Sequence, residues 1–216
     1  MQSRKSFLTT LQWLSPSFPI GSFAYSHGLE WAMSAGYVTD EESLLYWMQD
    51  LIEFGSVRND AILVSLAYRR APEAMNITAL NDMALALAPS RERRSETVLQ
   101  GRAFVKTVNE VWDQDLPELC YPVAVGTAAK YERLNHDDIV VAYLQAFVVN
   151  LIYTAVRLVP LGQTQGQRVL TTLTPELLDI SALAVAATDQ DLTNAAVLSD
   201  IASMRHETLK TRVFKT

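Results

Sequence analysis

The sequence predicts a single all-α domain, a bundle of about nine to eleven helices. Three observations carry this. Apolar residues recur at helical spacing along nearly the whole chain. Strict apolar–polar alternation, the signal of a half-buried strand, is absent over any useful length. Neither an internal repeat nor a low-complexity linker divides the chain.

The elements follow in order. Phe7, Leu8, Leu11 and Leu14 share one helix face. Thr39 with Glu42 reads as a capping box that opens a helix running to a stop at Gly55. Asn59 or Asp60 can cap the next, which Ala71-Pro72 breaks after Arg70. Helical patterns cover about 73–87 and 91–112, and 113–117 reads as a loop. Pro122 suits the first turn of a helix reaching about Leu134. His136-Asp137-Asp138 supplies caps and dipole-matched charge for a long apolar helix ending near Val159-Pro160. Pro175 can open a further helix through about Ala187, and a last pattern covers about 192–209.

The 216 residues are 49% apolar and 19% charged, which is globular composition and excludes a chain disordered throughout. A formal net charge of −6 argues against nucleic acid as a partner. Cys120 is the single cysteine, so an internal disulfide and a cysteine metal cage are both excluded, and a reducing, cytoplasmic setting fits. Thr9, Thr10 and Gln12 interrupt the N-terminal apolar stretch, and no signal peptide is read there. The uncharged stretch 139–156 is as long as a minimal membrane span, but Gln145, Asn150 and Thr154 inside it favour a buried core helix.

A search for chemistry finds little. The phosphate-binding, dinucleotide and nucleophile-elbow glycine motifs are absent, as is H-E-x-x-H. His27, His136 and His206 form no i, i+3 or i, i+4 pair, so no local metal site arises. His206 beside Glu207 has no nucleophile near it in sequence, and Cys120 reads as a buried, inert thiol. No catalytic residue, metal site or cofactor is assigned, and an interaction protein fits best. Arg91, Arg93 and Arg94 around Glu92 are either a solvated face or a docking surface for an acidic partner. Three segments are neither ordinary helix nor ordinary loop. Residues 15–23 combine Pro16, Pro19 and Gly21 with Phe18, Ile20 and Phe23. Residues 160–167 are rich in amides and glycine. From Ile201 onward there are four Lys/Arg against one Glu.

These segments carry a resemblance. Leu11-Gln12-Trp13-Leu14-Ser15-Pro16, Phe18-Pro19-Ile20-Gly21-Ser22-Phe23 and Ser26-His27-Gly28-Leu29-Glu30 resemble the opening of the UreF family of urease accessory proteins. Glu96-Thr97 with Gln100-Gly101-Arg102, then Tyr121-Pro122 through Gly126, are similar to its central helices. Arg157-Leu158-Val159-Pro160-Leu161-Gly162-Gln163-Thr164 with Gly166-Gln167 resembles its Arg-Leu-x-Pro-Leu-Gly-Gln signature. Arg205-His206-Glu207 with Arg212-Val213-Phe214-Lys215 resembles its closing motif. The departures are mild: Ser22 replaces a usual second glycine, and the ending reads Arg-Val-Phe-Lys-Thr.

The resemblance implies an all-α, commonly homodimeric protein with a non-enzymatic role in loading nickel into apo-urease. It implies binding to a second accessory protein, UreD (also called UreH), and recruitment of the nickel-carrying GTPase UreG. On that basis Phe18, Pro19, Gly21, Phe23, Arg205, His206, Glu207, Arg212 and Phe214 are expected to meet the accessory protein. His27, Glu30, Arg91, Arg94, Gly162, Gln163, Thr164, Gly166 and Gln167 are expected at the GTPase contact or along a metal passage. Segments 1–24 and 205–216 are expected to gain order when the partner docks. The alternative is a regulator of the GTPase, with Arg91, Arg93, Arg94 or Arg205 reaching the nucleotide as an arginine finger.

Overall fold

A computed structural model describes residues 2–71 and 73–216 and places ten α-helices there, with no strand among the described residues. They are α1 (Gln2–Trp13), α2 (Leu29–Ser34), α3 (Glu41–Phe54), α4 (Ser56–Arg70), α5 (Ala74–Ala86), α6 (Arg91–Trp112), α7 (Tyr121–Tyr131), α8 (His136–Leu158), α9 (Gln163–Ala186) and α10 (Val197–His206). Single 3-10 turns sit at Ser22–Ala24 and Asp189–Asp191. The predicted all-α bundle is thus the observed one.

Helices α4 and α7 form the centre. In α4 the run from Ala61 to Ala67 is buried on every side, and in α7 so is the run from Pro122 to Ala129. A helix apolar all round must be surrounded, and here α3, α5, α6, α8 and α9 do the surrounding. Small side chains let the central pair approach closely. A methyl group at Gly126 would overlap the carbonyl oxygen of Val64 on α4. Gly126→Ala is therefore expected to force the two helices apart and destabilise the fold by about 1–3 kcal/mol, read as a lower urea midpoint. An unchanged midpoint would mean that the helices separate at no cost.

The boundaries were mostly legible, and the differences have identifiable causes. The capping box of α3 is shifted by one residue. Asp40 caps it, with Oδ1 accepting from the Ser43 amide at 2.9 Å, while Ser43 Oγ accepts from the Asp40 amide at 3.1 Å. Asn59 and Asp60 do not cap α4, because Gly55 starts the helix at Ser56 and carries both into its interior. Ser90 and Asn135 cap α6 and α8. Pro175 does not open a helix but lies inside α9. The carbonyl it leaves unpaired, on Thr171, is on the exposed face, whereas Leu173, Leu177 and Ile180 continue the buried stripe across it. Most of the amide-rich segment is accordingly the first turn of α9. Gln165 Oε1 accepts there from the Gly162 amide at 2.8 Å.

Helix α1 reverses the expected polarity. Thr9, Thr10 and Trp13 form its buried face, while Phe7, Leu8 and Leu11 are half or more exposed. Trp13 makes edge contacts with Phe104 and Trp112, and Phe18 packs on the same two rings. Two helices, α8 and α9, are long and apolar enough to cross a membrane by length and composition. In α8 the buried positions run from Ile139 to Ala155 along the core face, as the sequence reading expected.

Candidate functional site

A cavity of about 720 Å³ opens between α1, the 15–23 segment, α6 and α8. That is within the range that holds a small ligand or a few side chains. Its walls are apolar, with Leu11, Leu14, Ile20, Phe23 and Phe147 among them. Its floor is charged. His27, Asp60, Arg93 and Glu96 lie there, with Tyr121 and Tyr143 beside them.

Each floor residue has a local reason for its place. Arg93, Glu96 and Gln100 follow at i, i+3 and i+7 on α6 and so face inward together. Asp60 projects from α4 and Tyr143 from α8. His27 has φ +55°, and Gly28 follows at φ +79°. This left-handed pair turns the chain into α2. It also brings α10 so close that any Cβ at Gly28 would overlap the backbone of Ala202 and Ser203.

Glu96 is the hub. Its Oε1 accepts from His27 Nε2 at 2.8 Å and from Gln100 Nε2 at 3.0 Å. Its Oε2 accepts from Arg93 Nη1 at 2.6 Å and from Thr216 Oγ1 at 2.8 Å. Burial alone would raise its pKa, but Arg93 and then His27 hold the carboxyl down at about 2. Burial and the nearby Arg93 lower the His27 pKa against the pull of Glu96. Asp60 behaves oppositely. Burial pushes it up to about 6, even though Arg93 and the Tyr143 hydroxyl, which donates to Asp60 Oδ2 at 3.0 Å, pull it down. Two buried atoms of this floor find no protein partner: His27 Nδ1, an acceptor once Nε2 carries the proton, and Arg93 Nε, a donor.

A second cluster joins α2, α6 and the tail. Glu30 Oε1 accepts from the Val213 amide at 2.6 Å, and its Oε2 accepts from the Phe214 amide at 2.9 Å. His206 is fully buried, with Nε2 at 3.2 Å from Glu30 Oε2 and Nδ1 at 2.7 Å from Glu92 Oε2. Arg212 reaches Glu92 at 2.5 Å, and Arg91 pairs with Glu207 at 3.3 Å. The tail then continues inward. The Lys215 amide donates to the Ala24 carbonyl at 2.8 Å, and the Ser26 amide donates to the Thr216 carbonyl at 2.8 Å. Phe214 is buried beneath the Arg157 guanidinium.

The structure thus brings Glu30, Arg91, His206, Glu207, Arg212 and Phe214 into one junction. His27 lies in the neighbouring charged floor. Phe18 is spent on the core, and Gly166 packs beneath Ile152 and Val156. Pro19, Phe23, Arg91, Arg94, Gly162, Gln163, Thr164, Gln167, Arg205 and Arg212 are exposed, and Gly21 and Glu207 are half-buried. Sequence reasoning missed Tyr143 and Thr216. It noted Asp60 only as a cap candidate and Glu92, Arg93 and Glu96 only within other groups, although the spacing of Arg93 and Glu96 with Gln100 was available. Arg93 is buried and paired, so it cannot serve as an arginine finger in this conformation. Cys120 is buried and its thiol is pushed up to about 12, chiefly by that burial. Among the described residues no group of three His, Cys, Asp or Glu converges as a metal site would require.

The network offers charge, hydrogen bonds and an apolar cavity, and it presents no activated nucleophile. Comparison with known proteins agrees with the resemblance noted in the sequence. The UreF family model matches residues 38–174. A urease accessory protein UreF of Roseobacter denitrificans is 46% identical over 100% of this chain and 96% of its own length. That of Ruegeria pomeroyi is 46% identical over 99% and 98%, and that of Methylobacterium radiotolerans is 43% identical over 97% and 96%. With the family model covering more than half of the chain and these relatives matching almost all of it, the chain belongs to the UreF family of urease accessory proteins.

Proposed function

We propose that this chain is a non-enzymatic scaffold in urease maturation, acting in the cytoplasm. In this reading it binds the UreD/UreH-type accessory protein and recruits the UreG-type GTPase to apo-urease for nickel insertion. The observation that carries the reading is the near-full-length similarity to relatives named urease accessory proteins. The outward apolar face of α1, Phe7, Leu8 and Leu11, together with exposed Phe23, gives the accessory protein an apolar anchor surface. The exposed Arg91, Arg94 and Arg205 and the turn at 162–167 are left for the GTPase. In this reading segments 1–24 and 205–216 gain order when the accessory protein docks. The working form is a homodimer.

The test is urease co-expressed with its accessory proteins, with and without this chain. The expected result is nickel-poor, inactive urease only when the chain is missing. Equal nickel loading in both cases would overturn the maturation role. Exposure of three arginines also supports the alternative reading, a regulator of the GTPase. A regulator of that kind raises GTP hydrolysis at substoichiometric amounts. A scaffold acts only at stoichiometric ratio and with the other partners present.

A further inference from the structure

The floor of the large cavity holds one carboxylate without a counterion. Arg93 is matched by Glu96 at 2.6 Å, and His27 is spent on the same carboxylate at 2.8 Å. Asp60 is left over. It lines the cavity from α4 and is half-buried. Its carboxyl has one hydrogen-bond partner, the Tyr143 hydroxyl at 3.0 Å. Among the described residues no Lys, Arg or His lies within ion-pair distance of it, and Arg93 acts on it only from farther away. A second cavity behind it has about 30 Å³, room for water but not for an organic counterion. Burial raises the Asp60 pKa to about 6, which leaves the group ionised at about pH 7.5 but poorly solvated.

The rest of the lining suits a cation with an apolar body. Tyr121 and Tyr143 lie 5.4 Å apart, and Tyr143 and Phe147 lie 6.4 Å apart, so three rings share the floor with Asp60. Aromatic faces and a carboxylate both attract a cation and repel an anion. Above them the walls are Leu11, Leu14 and Ile20. Pro16, Phe23 and Gln145 are the exposed part of the lining and mark an open mouth. The volume of about 720 Å³ is that of a small-molecule site.

We propose that this cavity is a binding site for a small organic amine in its ammonium form, its cationic head paired with Asp60 beside Tyr121, Tyr143 and Phe147 and its apolar body lying along Leu11, Leu14 and Ile20. The ammonium restores to Asp60 the charge stabilisation that burial removes. An anion of the same shape meets Asp60 and Glu96 together. A neutral alcohol gains burial of its body and nothing from the carboxylate.

The test uses the isolated full-length protein and no partner, so its failure leaves the maturation role untouched. Hexylammonium, 1-hexanol and hexanoate carry one apolar body with three heads. Each is titrated at about pH 7.5, with affinity read by calorimetry and location by NMR of the Leu14 and Ile20 methyl groups. Hexylammonium is expected to bind saturably, with a Kd below about 1 mM and at least about tenfold tighter than either analogue. D60N is expected to weaken hexylammonium about tenfold and to leave hexanol unchanged. Should D60N fail to fold, A142F, which fills the cavity from α8, is expected to weaken hexylammonium by at least about tenfold. The site is overturned if hexylammonium does not bind, if hexanol or hexanoate binds as tightly, or if the shifted methyl groups lie outside the cavity. It is equally overturned if D60N, or A142F in its place, binds hexylammonium as wild type does.

Discussion

Replacing Glu96 by Gln is expected to destabilise the protein by about 3–5 kcal/mol. The Glu96 carboxylate is buried and accepts four hydrogen bonds, two of them from Arg93 and His27. An amide in its place has one acceptor oxygen, and its NH₂ group points donors at donors. Arg93 then remains as a buried, uncompensated cation. Urea unfolding followed by circular dichroism measures the loss, and a change below about 1 kcal/mol would contradict it. The double variant with Arg93→Met is expected to be less damaged than the sum of the two single variants, because the stranded charge is gone.

The same residue sets the acid limb of stability. Its folded pKa of about 2 is depressed below the ordinary carboxylate value. The stability it contributes is present above that ordinary value and is lost as pH falls toward about 2. Asp60 has the opposite sign. Its raised value near 6 means that the native state binds the proton more tightly than the unfolded chain. Stability therefore declines as pH rises from the ordinary carboxylate range through about 6.

Trp13→Ala is expected to cost about 3–5 kcal/mol if α1 stays docked. Trp13 is fully buried between Phe104 and Trp112, while Phe7, Leu8 and Leu11 on the same helix point outward. The indole is thus the main pin holding α1, and its loss opens one wall of the cavity. Because α1 is a terminal element, the loss is expected to show first as local detachment. Trypsin should cut after Arg4 and Lys5 faster in the variant than in wild type, before global unfolding sets in. Equal cleavage rates together with an unchanged urea midpoint would show that other contacts hold the helix.

The sequence by itself determined the fold class, most helix boundaries and the family. Helical periodicity and Pro122 in the first turn of α7 are local signals, and local free energies decide them. Only the tertiary structure decided the rest. The apolar face of α1 points outward because Trp13, with its larger buried surface, takes the core site. Pro175 continues a helix because buried neighbours on either side outweigh one lost hydrogen bond on the wet face. The charge network could not be read in advance. Its members come from α4, α6, α8, the turn before α2 and the tail, up to 190 residues apart. Spacing reports which side chains share a helix face, but which distant carboxylate meets which distant cation is settled only when the helices pack.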